Sequence, residues 1–339
     1  MPSPKYSILI VNWNGMAVLP RCLEALATQI CRDFEIILFD NGSKDHSLEF
    51  VAEKYPDIKV LTSRRNIGFA AANNLAAKQA RGEWLALLNN DAFPDKFWLD
   101  VLDEATRIYT DTAMFASSLL MADHPDRIDG AGDALHGSGT VWNRQHRHPA
   151  AQADKTVHEV FAPQGAAALI RRSAFETAGG FDEDFFAYHE DIDLAFRLRL
   201  VGHHCLYIPD ARVFHEGSHT TGKGSNFAVV FGHRNWVWCW VQNMPTALLW
   251  RYLPEHLLAN LFFLLYISLK GQPWAIFKAK WHALLGLPKA FRKRRRRQLT
   301  RTASTRQIHR ALERGFLEPY LQGYRRRQAL KALEQDEVG

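Results

Sequence analysis

The chain has 339 residues, 47% hydrophobic and 23% charged, enough for about two domains with a sizeable core, which excludes disorder of the whole. Cys22, Cys31, Cys205 and Cys239 show neither C-x-x-C nor zinc-ligand spacing, so reduced thiols are expected in place of a disulfide scaffold or zinc ribbon. The net charge of +6 is uneven: residues 271–339 hold 17 Lys+Arg against 5 Asp+Glu, on a body that is net acidic. A basic tail of this kind asks for an anionic surface, lipid or nucleic acid.

Residues 6–11 are an unbroken apolar run, as in a strand buried on both faces of a parallel sheet. Asn12-Trp13-Asn14-Gly15 reads as a turn, and Leu19, Leu23, Leu26 and Ile30 predict a helix over 16–30. Residues 34–39 predict a second buried strand, closed by Asp40-Asn41-Gly42-Ser43. A helix over 47–54 stops near Pro56, and 58–61 is a short strand. An alanine-rich helix over 69–79 is closed by Gly82, and a fourth strand over 84–88 ends in Asn89-Asn90-Asp91. This alternation predicts a doubly wound α/β domain, whose ligands sit at the carboxyl ends of the strands. The Asn and Asp clusters fall at those ends.

Residues 121–160 are rich in Gly, His, Asp and Arg without periodicity, as in a functional loop or flap. An apolar segment over 160–170 follows, then a Gly179-Gly180 turn, a helix over 192–201 and a short strand over 205–208. From about residue 228 aromatics, leucines and basic residues mix. Six of the ten tryptophans fall here, and prolines 245, 254, 273 and 288 are expected to break the run into short helices. The longest apolar stretch, residues 257–269, is 13 residues long, short of the roughly 17–25 that span a bilayer. No signal peptide is expected at the start. The division expected is 1–235, a catalytic domain; 236–300, an amphipathic helical region; and 301–339, a polar tail.

Single Asn/Asp clusters are ordinary turn chemistry, but Asn12/Asn14, Asp40/Asp45 and Asn89/Asn90/Asp91 on one sheet edge form a site. No G-x-G-x-x-G follows the first strand and no P-loop occurs, which argues against nicotinamide and ATP sites.

These segments resemble those of family 2 glycosyltransferases, inverting enzymes of the GT-A fold. Ser7 to Gly15 resembles their opening strand and loop, and Glu35 to Ser43, with Asp45, their second strand and its Asp-bearing turn. Arg65-Asn66-Ile67-Gly68-Phe69 through Asn73-Asn74 is similar to a segment of the rhamnosyltransferase-like branch. Leu87-Leu88-Asn89-Asn90-Asp91 stands where the family has Asp-x-Asp or Asn-x-Asp. Gly179 to Leu194 resembles its acceptor-side motif, and Val213-Phe214-His215 completes the order. The likeness covers roughly residues 5–235.

The resemblance implies a GT-A mixed sheet flanked by helices. It also implies a nucleotide-sugar donor, such as a nucleotide-activated rhamnose, and a glycan or lipid-linked acceptor. A divalent cation, manganese or magnesium, would offset the charge of the departing diphosphate. Asp91 and His215 are its expected ligands, with Asn89 standing where the family more often has Asp. Asp40 is expected on the nucleotide, as a carboxylate accepting from a base or ribose. Asn12, Asn14, Asn66, Gly68, Asn73, Asn74, Asn89, Asn90, Glu190 and Arg197 are expected at the substrates, although capping also explains Asn66 and a helix pair with Asp193 explains Arg197. Asp191 is expected to be the general base.

For the C-terminal third, tryptophans, leucines and the run Arg292 to Arg297 fit an anionic membrane surface. The expected location is therefore cytoplasmic, peripheral on the inner face of the cell membrane. Two alternatives are a basic nucleic-acid binding protein and a nucleotidyltransferase on a similar scaffold. The first lacks a recognised motif and has an acidic body, so no nucleic-acid partner is expected. The second lacks a Gly-rich, Lys-bearing triphosphate loop.

Overall fold

The computed structural model describes residues 3–217 and 224–321; the last 18 residues of the polar tail lie outside the described residues. Strand β1 (Tyr6–Asn12), helix α1 (Leu19–Ala27), β2 (Phe34–Asp40), α2 (Ser47–Lys54), β3 (Lys59–Thr62), α3 (Phe69–Ala77) and β4 (Trp84–Asn89) follow the expected order. β1 pairs in parallel with β2 on one side and β4 on the other. Its alternate residues serve two cores. Tyr6, Ile8 and Ile10 pack with Leu19, Leu23 and Leu26 of α1. Leu9 packs with Phe39 and with Ala72 and Ala76 of α3. Burial on both faces explains the unbroken apolar run.

The sheet continues through β5 (Ala92–Pro94), α4 (Trp98–Ile108), β6 (Met114–Met121), β7 (Ile128–Ala131), β8 (Asp133–Leu135), β9 (Val141–Asn143), β10 (His158–Val160), β11 (Ala167–Arg171), α5 (Arg172–Thr177), α6 (Glu190–Leu200) and β12 (Cys205–His215). The strand order is β10-β12-β6-β11-β4-β1-β2-β3, with β5 added to β12 and β7 to β6. β11 runs antiparallel to β4, with Ala167 opposite Leu88. Its amino end therefore lies at the carboxyl edge of the parallel strands.

Two expectations are corrected here. Residues 121–160 are not an irregular flap. They hold β7, paired to β6, and the β8–β9 hairpin, since buried backbone groups must find partners. The strand expected over 205–208 runs on to His215 with a register slip between Ile208 and Arg212, which accommodates Pro209, a residue that cannot donate to the ladder.

The C-terminal part folds as α7 (Asn226–Asn243), α8 (Thr246–Leu269), α9 (Pro273–Leu299) and α10 (Thr305–Ala311). Pro254 and Pro288 lie inside α8 and α9, so the expectation of four breaks is wrong. Each proline forfeits one helical hydrogen bond, and packing of α9 against α7 and α8 holds the helices through it. Among the described residues α8 is the one helix long and apolar enough to cross a membrane, by length and composition; counting only its uninterrupted apolar stretch understated it. The boundary expected after residue 235 falls inside α7. Cys239, Trp240, Leu248, Tyr252, Ala290 and Ile308 share one core with the sheet.

Candidate active site

At the carboxyl edge, Asn12 has no exposed surface. Its amide donates to Asp40 Oδ1 (3.2 Å), Ser43 Oγ (3.2 Å) and Ser47 Oγ (2.9 Å), and its Oδ1 accepts from Asn90 Nδ2 at 2.9 Å. Asp40 also accepts from the Ser43 N–H at 3.0 Å, and Asp45 accepts from the Met16 N–H at 2.8 Å. A Cβ on Gly15 would lie 2.1 Å from Asn12 Oδ1 and 2.3 Å from Asn90 Nδ2, so only glycine lets the loop close over this pair. Asn12 and Asn90 thus frame the edge, which corrects their placement on substrate: buried polar groups at a strand end must satisfy each other. Asn14, in the left-handed region at φ 51°, accepts from the Lys44 N–H at 2.8 Å. Asn89 is half-exposed at the mouth.

The second loop is tied by Asn41, which sequence reasoning passed over as a turn residue. Its amide donates to Asn66 Oδ1 (3.1 Å) and its Oδ1 accepts from the Ile67 N–H (2.8 Å), while Asn66 Oδ1 also accepts from the Gly68 N–H (2.9 Å). Gly68 has φ +93°, and a Cβ there would meet the Phe186 ring and carbonyl at 2.7 Å. Asn73 and Asn74, expected at the substrates, are buried and bonded within the fold. Asn73 donates to the Phe69 carbonyl of its own helix (3.0 Å). Asn74 brackets Phe181, donating to its carbonyl (2.9 Å) and accepting from its N–H (2.8 Å). They sit on the buried side of α3, where an amide must spend its hydrogen bonds on neighbours.

Asp91 follows β4 and is buried. Pairing of His215 opposite Ala92 brings the end of β12 beside it. His215 Nε2 lies 3.4 Å from Asp91 Oδ1, and its Nδ1 lies 2.7 Å from Asp129 Oδ2. Burial opposes charge on this imidazole, but its hydrogen bonds to Asp129 and Asp91 prevail and push it up to about 10. Asp129, which no sequence spacing singled out, is in turn beside His146 Nδ1 at 3.4 Å. Among the described residues no group of three or more His, Cys, Asp or Glu side chains gathers as a metal cluster; Asp91 and His215 are the pair that the two strand ends bring together, with Asp129 behind the imidazole.

Asp191 opens α6. Its Oδ2 accepts from the Gly165 N–H at 3.1 Å and its Oδ1 from the Ile192 N–H at 2.8 Å. The next residue after Gly165, Ala166, accepts from the Asn89 N–H at 2.9 Å. Asp191 is therefore anchored one residue from the carboxyl end of β4. Phe186, Tyr188 and His189, just before it, all have φ between 65° and 68°, strained for non-glycine residues. Asn235 of α7 pins this loop: its amide donates to the carbonyls of Phe185 (2.9 Å), Ala187 (2.8 Å) and Tyr188 (2.7 Å). Burial raises the Asp191 carboxyl above the ordinary range. Burial, then the Asp191 charge, holds Glu190 well above it.

Asp193 is held the opposite way. Burial would raise it, but Arg297 and Arg197 bring it down to about 2. Arg197 donates to Asp193 (2.8 Å) and to the Ala178 carbonyl (2.6 Å), so it braces the helix and is removed from the substrate contacts. The basic run is likewise corrected. Arg297 reaches Asp193 at 2.5 Å and Asp182 at 2.9 Å, and Lys293 reaches Asp184 at 2.6 Å. Arg294 donates to the Val241 and Met244 carbonyls. Lys293 and Arg297 staple α9 to the loop ahead of α6 and to α6 itself, Arg294 staples it to the end of α7, and only Arg292, Arg295 and Arg296 face outward, because a helix cannot present six consecutive residues to one side.

A cavity of about 470 Å³ adjoins Asp191, between the β8–β9 hairpin, the Tyr188–His189 loop and α7. Another, of about 390 Å³, lies between the end of α6 and α10 and holds none of the candidate residues.

The sequence profile of glycosyl transferase family 2 matches residues 7–179, and that of glycosyl transferase family group 2 matches residues 135–288. An N-acetylglucosaminyl-diphospho-decaprenol L-rhamnosyltransferase of Mycobacterium tuberculosis is 28% identical over 246 residues, covering 64% of this chain and 77% of the relative. Among solved structures, S. aureus TarS 1-349 in complex with UDP-GlcNAc aligns with a TM-score of 0.57 at 17% identity, over 92% of this chain and 93% of that one. GalNAc-T7 with UDP, GalNAc and Mn2+ aligns with a TM-score of 0.60 at 20% identity, over 75% of this chain, which spans about half (51%) of that protein's length. The chain belongs to glycosyl transferase family 2, in its rhamnosyltransferase-like branch, and its mixed sheet is the GT-A fold.

Proposed function

We propose that the chain transfers a deoxyhexose such as rhamnose, with inversion, from a nucleotide-diphosphate donor to a hydroxyl of a lipid-linked saccharide or other cell-envelope glycan. The observation that carries this is the tether of Asp191 at Gly165, which sets a half-buried carboxylate beside the strand edge that bears Asp40 and Asp91. The similarity to the mycobacterial rhamnosyltransferase supports the sugar and the acceptor class.

Asp40 and Asn66, with Asn14 and Asn89 at the mouth, are the residues we assign to the donor. Asp191 takes the proton of the acceptor hydroxyl as that oxygen forms its bond to the anomeric carbon and the carbon–phosphate oxygen bond breaks. Its raised basicity suits it to this role. Glu190 stands beside it, its carboxyl pushed well above the ordinary range by burial and by the Asp191 charge. The residues present fit a divalent cation. Asp91 and His215 offer an oxygen and a nitrogen 3.4 Å apart, the nitrogen once His215 has lost, on cation binding, the proton that the two carboxylates favour on it. Asp129 backs the imidazole as carboxylates commonly back metal-bound histidines. Asp91 and His215 would hold manganese or magnesium, which when bound supplies positive charge to the departing diphosphate.

We assign the chain to the inner face of the cell membrane as a peripheral protein. Leu257, Leu261 and Leu265 of α8 and Trp274, Trp281 and Leu285 of α9 are exposed, with Arg292, Arg295 and Arg296 beyond them. The first half of α8 is held to the body, His256 Nδ1 lying 2.7 Å from the Ser138 carbonyl, which favours lying on the bilayer over crossing it.

The decisive test is Asp191→Asn. Asn keeps the shape of Asp191 in the first turn of α6 and can still accept from a backbone N–H, so a purely structural role would leave turnover near normal. A general base predicts a loss of about 10²–10⁴-fold in kcat with nucleotide-sugar binding retained, and NMR of the wild-type product should show an inverted anomeric centre.

A further inference from the structure

The cavity beside Asp191 carries polar groups that the fold leaves unused. Asp133, at the start of β8, is 5% exposed, and Trp236 of α7 is 4% exposed. Both line the cavity. Asp133 Oδ1, Trp236 Nε1 and His233 Nδ1 are buried with no hydrogen-bond partner among the described residues. Folded proteins seldom strand one such atom, because each costs its full desolvation. Three in one cavity describe a complement of acceptors and donors for something that enters.

The lining tells what enters. Among the described residues no Lys or Arg faces the cavity. Burial pulls His189 down to about 4 and His233 down to about 3, so both imidazoles are neutral. Lys280 lies against the Trp236 ring, 4.8 Å from its centroid, and is bonded to Asn260 outside the lining, so a phosphate in the cavity would touch no cation. The walls are instead a carboxyl, the Thr140 hydroxyl, the Tyr188 phenol and the Trp236 indole, with Val229 and Phe263 between them. Hydroxyls that both donate and accept, on a ring with an apolar face, match that set.

We propose that this cavity is the subsite for an uncharged pyranose of the acceptor, with Asp133 and Trp236 its specificity-determining contacts. Asp133 accepts from a ring hydroxyl and the Trp236 N–H donates to another, so the hydroxyl to be glycosylated is presented to Asp191. The acceptor's diphosphate, if it has one, lies outside the cavity. The inference rests on the glycosyl-transfer reading above.

The test uses the full chain with dTDP-rhamnose as donor and N-acetylglucosaminyl-diphospho-farnesol as acceptor. Asp133→Asn keeps the shape and loses an acceptor atom. The acceptor KM should rise on the order of 10- to 100-fold, with the donor KM unmoved. Trp236→Phe keeps a ring and removes the N–H, and should raise the acceptor KM by less. Thermal unfolding identifies a variant that does not fold, and if Asp133→Asn is one, Trp236→Phe decides. Unchanged acceptor KM in the folded variants overturns the subsite. A wild-type chain that forms no product defeats the glycosyl-transfer reading, and the inference with it.

Discussion

Asp191, Glu190 and Asp133 are carboxyls that burial holds above their ordinary range, and this has a stability consequence. A group whose folded pKa is raised favours the fold below its unfolded pKa of about 4, and that contribution is lost as pH rises through the folded value. At neutral pH the base therefore strains the protein that holds it. Asp191→Asn should raise Tm at pH 7 while lowering kcat, and the gain should vanish in acid, where wild type is protonated in both states; differential scanning calorimetry at several pH values reads this. Turnover should show an acid limb above the usual aspartate value, because the base works only once ionised. At the other pole of the site, chelation should abolish transfer and manganese or magnesium should restore it. Asp91→Ala should not be restored by either, and full activity after exhaustive chelation would remove Asp91 and His215 from the metal.

Among elements, α9 carries the largest revision. Its sequence shows six basic residues in a row, and composition alone sends all six to a surface. The helical repeat sends Lys293, Arg294 and Arg297 inward; Arg294 meets backbone carbonyls at the end of α7, and the acids that Lys293 and Arg297 meet, Asp182, Asp184 and Asp193, lie about a hundred residues earlier in the chain. No local pattern announces such a pair. The strands were legible because burial on both faces leaves an unbroken apolar run, and the site edge because strand ends collect Asn and Asp. Asp129, Asn41 and Asn235 were not, since each acts through a partner that only the fold brings near. Arg297→Met should cost up to about 3–5 kcal/mol by urea unfolding, at the lower end because Arg197 still neutralises Asp193. Arg297→Lys should recover part of it. The Asp193 ion pairs, with a folded pKa of about 2, contribute above the unfolded value and are lost only as pH falls toward 2.

At the scale of the molecule, one face is anionic and polar at the strand edge, and another shows leucine and tryptophan flanked by arginine. Replacing Arg292, Arg295 and Arg296 together with Gln should weaken co-sedimentation with phosphatidylglycerol vesicles. At about 1 kcal/mol each near an anionic leaflet, the effect is on the order of 100-fold at low salt and smaller at physiological salt. Turnover on a short-chain acceptor should survive, because these side chains point away from Asp182 and Asp193. Undiminished sedimentation would leave the apolar faces of α8 and α9 as the whole of the attachment.

Asn235 fastens the strained loop that delivers Asp191, and Gly232, His233 and Trp236, one turn to either side of it on the same helix, wall the neighbouring cavity. The fastening of that loop and one wall of the cavity thus fall on one eighteen-residue helix, Asn226–Asn243, while Asp133 and Thr140 line the cavity from the β8–β9 hairpin. A chimera that joins this sheet to a relative's C-terminal helices ahead of Asn235 would part the loop from the amide that fastens it. Recombination among such enzymes keeps this fastening where the crossover falls outside residues 185–235, so that Asn235 travels with the carbonyls it holds.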